Sequence, residues 1–184
     1  MRTKQLKEFI FLALCCDLGL FSKRLVAPFS NLITDFLHIP GGIGTSFSLM
    51  FLVIAALFLP RFGCAALMGA VQSVLALSMG MVGSMGILAP IGYIVPGFFI
   101  DCTVFFSRKC HLDFVVTAIL ANMLSAAAAS LTANVIVFHL SGLVLLLDVA
   151  VALTSGAFCG IVGSSLITRI HPVIYFEQSK EARA

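Results

Sequence analysis

The sequence predicts an all-α integral membrane protein, a compact six-transmembrane-helix bundle with both termini in the cytoplasm. Of its 184 residues, 60% are hydrophobic and only 10% are charged, whereas about a quarter of the residues in soluble domains are charged. Six long apolar runs follow one another along the chain, and its basic residues cluster on one side of the implied membrane. The runs are continuous and do not alternate with a period of two, which excludes a closed β-barrel.

About 20 apolar residues are needed for a helix to cross the hydrocarbon core of a bilayer. The six runs predict helices at 5–26, 44–60, 63–82, 86–107, 112–138 and 143–170. Short separators rich in turn-forming residues join the later helices: "LPRFG", "GMVGSMG", "SRKCH" and "FHLSG". The first run follows three basic residues, as in a signal peptide, but no small-x-small cleavage site comes after it. We therefore predict that it is retained as a helix and that 1–184 is a single membrane domain.

The basic residues set the predicted orientation, because cytoplasmic loops carry an excess of Lys and Arg. With both termini inside, only Lys23 and Arg24 lie outside. The other nine lie on the cytoplasmic side: Arg2, Lys4, Lys7, Arg61, Arg108, Lys109, Arg169, Lys180 and Arg183. An odd number of crossings would break this distribution.

The segment 27–43 between the first two runs is predicted to cover a ligand pocket. Pro28 is expected to break or kink the first helix, and a short amphipathic helix, "NLITDFLH", is expected to follow and to end at "IPGG". The apolar side chains of this helix would cover a cavity, and the glycines after it would provide a hinge. Four polar side chains would reach the mouth of the cavity: Lys23, Arg24, Asp35 and His38.

Polar groups within apolar runs are costly to place in a membrane, so each is a candidate functional residue. They are Asp17, Gln72, Asp101, Asn122, Asn134 and Asp148. For the aspartates, a structural ion pair or a helix-terminus contact explains the residue as well as a binding role does. Small residues recur every fourth position on the third, fifth and sixth helices, which indicates close packing within the bundle or a docking face for another subunit. The six cysteines lack metal-binding spacing and are interpreted as small buried residues.

The size, the six crossings, "KRLVAPFSNLITDFLHIPGG" and "FSLMFLVIAALFLPRFGCAALMGAVQSVLAL" resemble the substrate-binding S-components of energy-coupling factor (ECF) transporters. The resemblance implies a subunit of the bacterial cytoplasmic membrane that captures a micronutrient outside. It would deliver this substrate inward with a transmembrane coupling subunit (T-component) and two ATPase subunits, which hydrolyse the ATP. The small residues on the first helix that would dock the coupling subunit are Ala13, Cys15 and Gly19, although Asp17 interrupts the family's spacing of alanines.

The substrate is expected to be a B-vitamin or a vitamin precursor, or else haem or another tetrapyrrole. The expected lining is rich in Phe and Met and has no Trp, which suits a large apolar or flat ligand. If the ligand is haem, His38 or a Met would be its axial ligand, and Lys23 and Arg24 would meet the propionates. The full predicted binding set is Lys23, Arg24, Asn31, Asp35, His38, Phe47, Met50, Met79, Met85 and Tyr93.

Two other classes of function remain open at this point. A membrane assembly or scaffold protein would have no ligand pocket. An intramembrane enzyme would use Asp101 and Asp148, but the sequence contains no HExxH, GxSxG or nucleotide-binding glycine loop. We therefore expect no catalytic residue, no intrinsic cofactor and no nucleic-acid partner.

Overall fold

A computed structural model describes residues 2–37, 43–59, 61–80, 83–139 and 142–181 of the chain. Within these ranges all regular structure is helical, and six α-helices follow in order. They are α1 (Arg2–Leu37), α2 (Ile43–Phe58), α3 (Cys64–Ser78), α4 (Ala89–Lys109), α5 (Phe114–Ala133) and α6 (Leu143–Glu181). Within these ranges the predicted all-α fold with six helices is confirmed.

Three helical segments are long and apolar enough to cross a membrane: Met85–Lys109, Phe114–Phe138 and Leu143–Arg169. Two shorter apolar helices, Gly44–Phe58 and Cys64–Ser78, rise only about 22 Å each. In α1 the apolar run is interrupted by Asp17 and ends at Lys23 and Arg24. A membrane location is therefore compatible with the described helices, three of which have the length and composition of spans.

The first helix differs from the prediction. It was expected to end near residue 26, with a separate short helix inside the segment 27–43, but α1 runs unbroken through Pro28 to Leu37. A proline inside a helix removes one backbone hydrogen bond and costs about 3 kcal/mol in water. Long apolar helices tolerate it when neighbouring groups satisfy the freed carbonyl. Residues 38–42, where the glycine hinge was expected to begin, lie outside the described residues.

Adjacent helices pack closely through small residues. A Cβ on Gly97 of α4 would lie 2.5 Å from the Ala65 carbonyl oxygen of α3, and one on Gly160 of α6 would lie 2.7 Å from the Cα of Ile119 on α5. The ridges of small residues on α3, α5 and α6 are largely buried in these contacts. Of the two interpretations left open, packing within the bundle is therefore the one that the structure supports.

The α2–α3 turn is fixed by two charged side chains of α4. The carboxylate of Asp101 accepts hydrogen bonds from the Ala65 and Ala66 amides, at 3.1 and 2.9 Å, in the first turn of α3. Nη2 of Arg108 lies 3.1–3.3 Å from the carbonyl oxygens of Ala56, Leu57 and Leu59 at the end of α2. An anion at a helix N-terminus and a cation at a C-terminus both complement the helix dipole. Asp101 and Arg108 thus hold the bundle together at this end.

Candidate functional site

The side chains of Lys23 and Tyr93 meet between α1 and α4, although 70 positions separate them in the chain. Nζ of Lys23 donates a hydrogen bond of 3.2 Å to the Tyr93 hydroxyl and lies 4.4 Å from the centroid of the ring. Both residues are half-buried. A cation held over an aromatic face is stabilised by about 0.5–2 kcal/mol, depending on its desolvation. The contact therefore fixes a positive charge beside α4.

A cavity of about 30 Å³ lies beside this contact. Five helices contribute to its lining, which consists of Lys23, Thr45, Ser48, Leu49, Gln72, Gly92, Tyr93, Pro96 and Ala129. A space of this size holds one or two water molecules, whereas pockets for small-molecule ligands measure roughly 300–1,000 Å³. In the described conformation the cavity is closed to a molecule the size of a vitamin.

Gln72 adds a buried polar group to this lining. It is 1% exposed, and its Nε2 donates a hydrogen bond of 3.0 Å to the Cys16 carbonyl oxygen of α1. Gly19 makes room for it, because a Cβ there would lie 2.7 Å from this nitrogen. Sequence analysis marked Gln72 as a costly polar residue but did not assign it to the site. The signal available in the sequence was the position of this glutamine inside an apolar run.

Pro96 is a second lining residue that sequence analysis did not assign. It lies inside α4 and is buried. Because proline has no amide hydrogen, Pro96 cannot donate the helical hydrogen bond that the carbonyl of Gly92, four residues earlier, would normally accept. Gly92 and Pro96 both line the cavity. The break in the hydrogen-bond ladder of α4 is thus located at the cavity.

The structure brings only part of the predicted binding set together. Lys23 and Tyr93 line the cavity, and Met85 packs beside it, since its Sδ would lie 2.6 Å from a Cβ on Gly92. Met50 is 2% exposed and packs beside Gly163 of α6. Met79 follows α3 and is 61% exposed. The Phe47 ring contacts Phe51, with 6.0 Å between the two centroids.

The remaining predicted binding residues belong to the end of α1 or follow it. Arg24 is exposed. Asn31 and Asp35 are part of the continuous helix, but only their backbone is described. His38, the expected haem ligand, lies outside the described residues. In the described part of the chain, no cluster of three or more His, Cys, Asp or Glu side chains has the arrangement of a metal site.

The three residues expected to dock a coupling subunit point in different directions. Cys15 is buried in the core, and Gly19 packs against Gln72 and the Ser48 backbone. Ala13 is exposed. The small pair Cys15 and Gly19 therefore serves the contact of α1 with α2 and α3, and within this set Ala13 alone is accessible to another protein.

Two further polar residues of the apolar helices make hydrogen bonds within the chain. Asp148 accepts a hydrogen bond from the Ser130 hydroxyl, which joins α6 to α5. Nδ2 of Asn122 donates to the carbonyl oxygens of Gly156 and Ser46, at 2.8 and 3.4 Å. These contacts, like those of Asp101, connect helices. The carboxylates of Asp101 and Asp148 thus both accept hydrogen bonds from groups of the protein itself.

Comparison of the chain with protein-family models, with curated proteins and with solved structures gave no match. The geometry described above is therefore the basis for assigning a function.

Proposed function

We propose that this chain is the substrate-capture subunit of an ECF-type transporter. It binds a small micronutrient at the Lys23–Tyr93 cavity and delivers it inward with a coupling subunit and two ATPase subunits. One observation carries the proposal: a lysine and a tyrosine from distant parts of the chain meet at a cavity that also contains a buried glutamine. A few convergent polar groups within an apolar surround are typical of small-molecule sites.

The proposal includes six membrane crossings with both termini in the cytoplasm. The support is the position of the basic residues: Arg61 and Arg108 lie around the α2–α3 turn, and Arg61 pairs with Glu8 near the start of α1 at 3.7 Å. This end of the bundle would face the cytoplasm under the positive-inside rule. The Lys23 cavity would then open toward the outside. The two 15-residue helices would cross with their flanking residues or in a locally thinned bilayer.

The cavity favours a polar substrate that carries an anionic group. The Lys23 ammonium is a point charge for a carboxylate or phosphate, and Ser48 and Gln72 supply hydrogen-bonding groups beside it. A B-vitamin or a vitamin precursor fits this description. Haem is the alternative substrate, and it depends on His38, while the expected methionine lining is divided between the core and the exposed end of α3.

Capture requires the Lys23–Tyr93 contact to open, because the cavity holds only one or two water molecules in this conformation. The helix α1 packs mainly on α2 and α3. From α1, the side chain of Lys23 reaches α4 and contacts Tyr93 there. Breaking this contact would release the two walls of the cavity from each other, and an anionic substrate would replace Tyr93 as the partner of Lys23.

A thermal-stability screen of the purified protein against water-soluble vitamins, their precursors and haem tests the proposal. A ligand that binds only the folded state raises the apparent melting temperature in proportion to the logarithm of its concentration. We expect one compound class to do so for the wild type, and we expect Lys23→Gln to need at least a tenfold higher ligand concentration for the same stabilisation. Lys109→Gln, which removes an exposed cation at the other end of α4, is the matched control. Stabilisation by no compound, or equal stabilisation of Lys23→Gln, would contradict the proposal.

The small cavity favours a second candidate, a membrane scaffold protein without a ligand. Co-expression separates the two. A capture subunit forms a stable complex with a coupling subunit and an ATPase pair, and that complex responds to the stabilising compound. A scaffold protein purifies without a small molecule, and none of the screened compounds stabilises it.

A further inference from the structure

A second cavity, of about 210 Å³, lies between the α2–α3 turn and the end of α4. Its lining consists of Ala56, Arg61, Phe62, Asp101, Val104, Phe105 and Arg108. The cavity reaches the surface of the bundle, because both arginines and both phenylalanines are exposed. Its volume is below the roughly 300–1,000 Å³ of pockets that enclose a whole small molecule. It therefore suits one compact group of a larger ligand.

The charged groups of this lining are two guanidiniums and one carboxylate. Both oxygens of Asp101 already accept hydrogen bonds from amides in the first turn of α3. In the described part of the chain, Arg108 donates through Nη2 alone, so the N–H groups of Nη1 and Nε are left for a ligand. Arg61 pairs with Glu8 at 3.7 Å, and an exposed ion pair of this kind is weak. The cavity thus offers positive charge and unused donors to an anion.

The position of Arg108 along α4 places this cavity at a membrane surface. The segment Met85–Lys109 has the length and composition of a membrane span, and Arg108 is its last residue but one. The end of a span lies where the hydrocarbon core meets the lipid headgroups. Arg61, which lines the same cavity, lies at the same depth. Both guanidiniums are therefore within reach of lipid phosphates.

An exposed aromatic surface extends from the cavity along α4. The Phe62 ring packs edge-on against Phe105 and Phe98, with 5.8 and 6.4 Å between centroids. All three rings are more than half exposed. Phe98 and Phe105 are seven positions apart, so they lie on one face of the helix about 10 Å from each other. This face leads from the arginines toward the middle of the apolar segment, as an acyl chain does below its headgroup.

We propose that the cavity binds the phosphate group of an anionic phospholipid, whose acyl chain lies along Phe62, Phe98 and Phe105. The planar guanidinium fork matches the oxygens of a phosphate, and basic pockets between membrane helices hold anionic headgroups in this way. A free phosphate would use the arginines alone and leave the aromatic face uncovered. The site is separate from the Lys23 cavity. It requires only that the end of α4 lies at a membrane surface, so it stands even if substrate capture fails.

The test titrates the purified full-length protein in detergent micelles with phosphatidylglycerol or with phosphatidylcholine of the same chain length. Native mass spectrometry counts the lipids bound to each chain. Both lipids contain a phosphate, but phosphatidylcholine has no net charge. We expect the first phosphatidylglycerol to bind the wild type at least tenfold more tightly than phosphatidylcholine. Inorganic phosphate in large excess should not displace it.

Arg61→Gln should remove most of this preference, whereas Arg61→Lys should retain part of it. Arg61 is the residue to change, because Arg108 also holds the end of α2. Lys109→Gln is the matched control: it removes an exposed cation next to Arg108 that does not line the cavity, and it should leave the preference unchanged.

Three results would overturn the proposal. The first is equal binding of the two lipids to the wild type. The second is a preference that survives in Arg61→Gln or that falls equally in Lys109→Gln, because the charge of the cavity would then not be its cause. The third is displacement of phosphatidylglycerol by inorganic phosphate, which would identify the ligand as a soluble phosphate.

Discussion

Asp101 illustrates at the residue scale how a buried charge serves the fold. Both of its oxygens accept backbone hydrogen bonds from the first turn of α3, and these bonds satisfy amides that would otherwise have no partner. From the sequence alone, a catalytic role and a structural role could not be separated, because the partners of Asp101 lie 35 and 36 positions away. The contacts favour the structural role.

Asp101→Asn should therefore destabilise the protein. Loss of a capping side chain costs about 0.5–2 kcal/mol, and Asn keeps only one of the two acceptor oxygens. Asp113→Asn is the matched control: Asp113 precedes α5 but makes no side-chain capping bond there. We expect the free energy of unfolding, measured by SDS titration in mixed micelles, to fall by about 1–2 kcal/mol for Asp101→Asn and to change little for Asp113→Asn. Equal losses in the two variants would contradict the capping role.

Lys23 and Tyr93 show what residue types predict. Lys23 was predicted at the mouth of a ligand cavity and Tyr93 in its lining. The structure places the two side chains in contact. The sequence did not reveal their pairing, nor the part played by Gln72 and Pro96. The distances between these residues depend on how α1, α3 and α4 pack, and that packing is determined by contacts between residues far apart in the chain.

At the scale of elements, turns were easier to predict than the end of α1. Gly63 and Gly80 have φ values of +93° and +67°, in the left-handed region that favours glycine, and both lie at predicted separators. Pro28 gave the opposite result. Its lost hydrogen bond was expected to break or kink the helix, but α1 continues without a break to Leu37. A proline in a helix interior weakens the helix without always ending it. Local sequence records the loss of one hydrogen bond, and that loss alone does not decide where a helix ends.

The crossing of α3 and α4 depends on Gly97. A Cβ there would lie 2.5 Å from the Ala65 carbonyl oxygen and 2.9 Å from its carbon, so Gly97→Ala must push the two helices apart. We expect this overpacking to cost about 1–3 kcal/mol of the free energy of unfolding. Gly92→Ala is the control, because its Cβ would meet the sulfur and the terminal methyl of Met85, the far end of a flexible side chain that can move aside. A loss for Gly92→Ala as large as that for Gly97→Ala would show that backbone contact is not the cause.

At the scale of the whole molecule, composition predicted a helical membrane protein, but it could not establish the number of spans. Three segments have the length and composition of spans. Gly44–Phe58 and Cys64–Ser78 are shorter than these segments, and the apolar run of α1 contains Asp17. Composition averages over the chain, whereas crossing depends on the length of each helix and on the partners of its charges.

Cys110 reports on the proposed orientation, because it is exposed at the turn after α4. Four of the other five cysteines are buried, and Cys102 is half-buried. A membrane-impermeant maleimide should therefore label the protein only after the cells are permeabilised, and Cys110→Ser should abolish that labelling. His139→Cys in the Cys110→Ser background, at the opposite end of the bundle, should be labelled in intact cells. Labelling of Cys110 in intact cells would reverse the proposed orientation.

The central claim is that the Lys23–Tyr93 cavity opens to capture a small molecule. Its most direct test is the equilibrium affinity of the stabilising compound for the wild type, for Lys23→Gln and for Lys109→Gln, each in lipid nanodiscs. We predict saturable binding at one site per chain, weakened at least tenfold by Lys23→Gln and unchanged by Lys109→Gln. An affinity that is the same in all three proteins, or the absence of saturable binding to the wild type, would contradict the account.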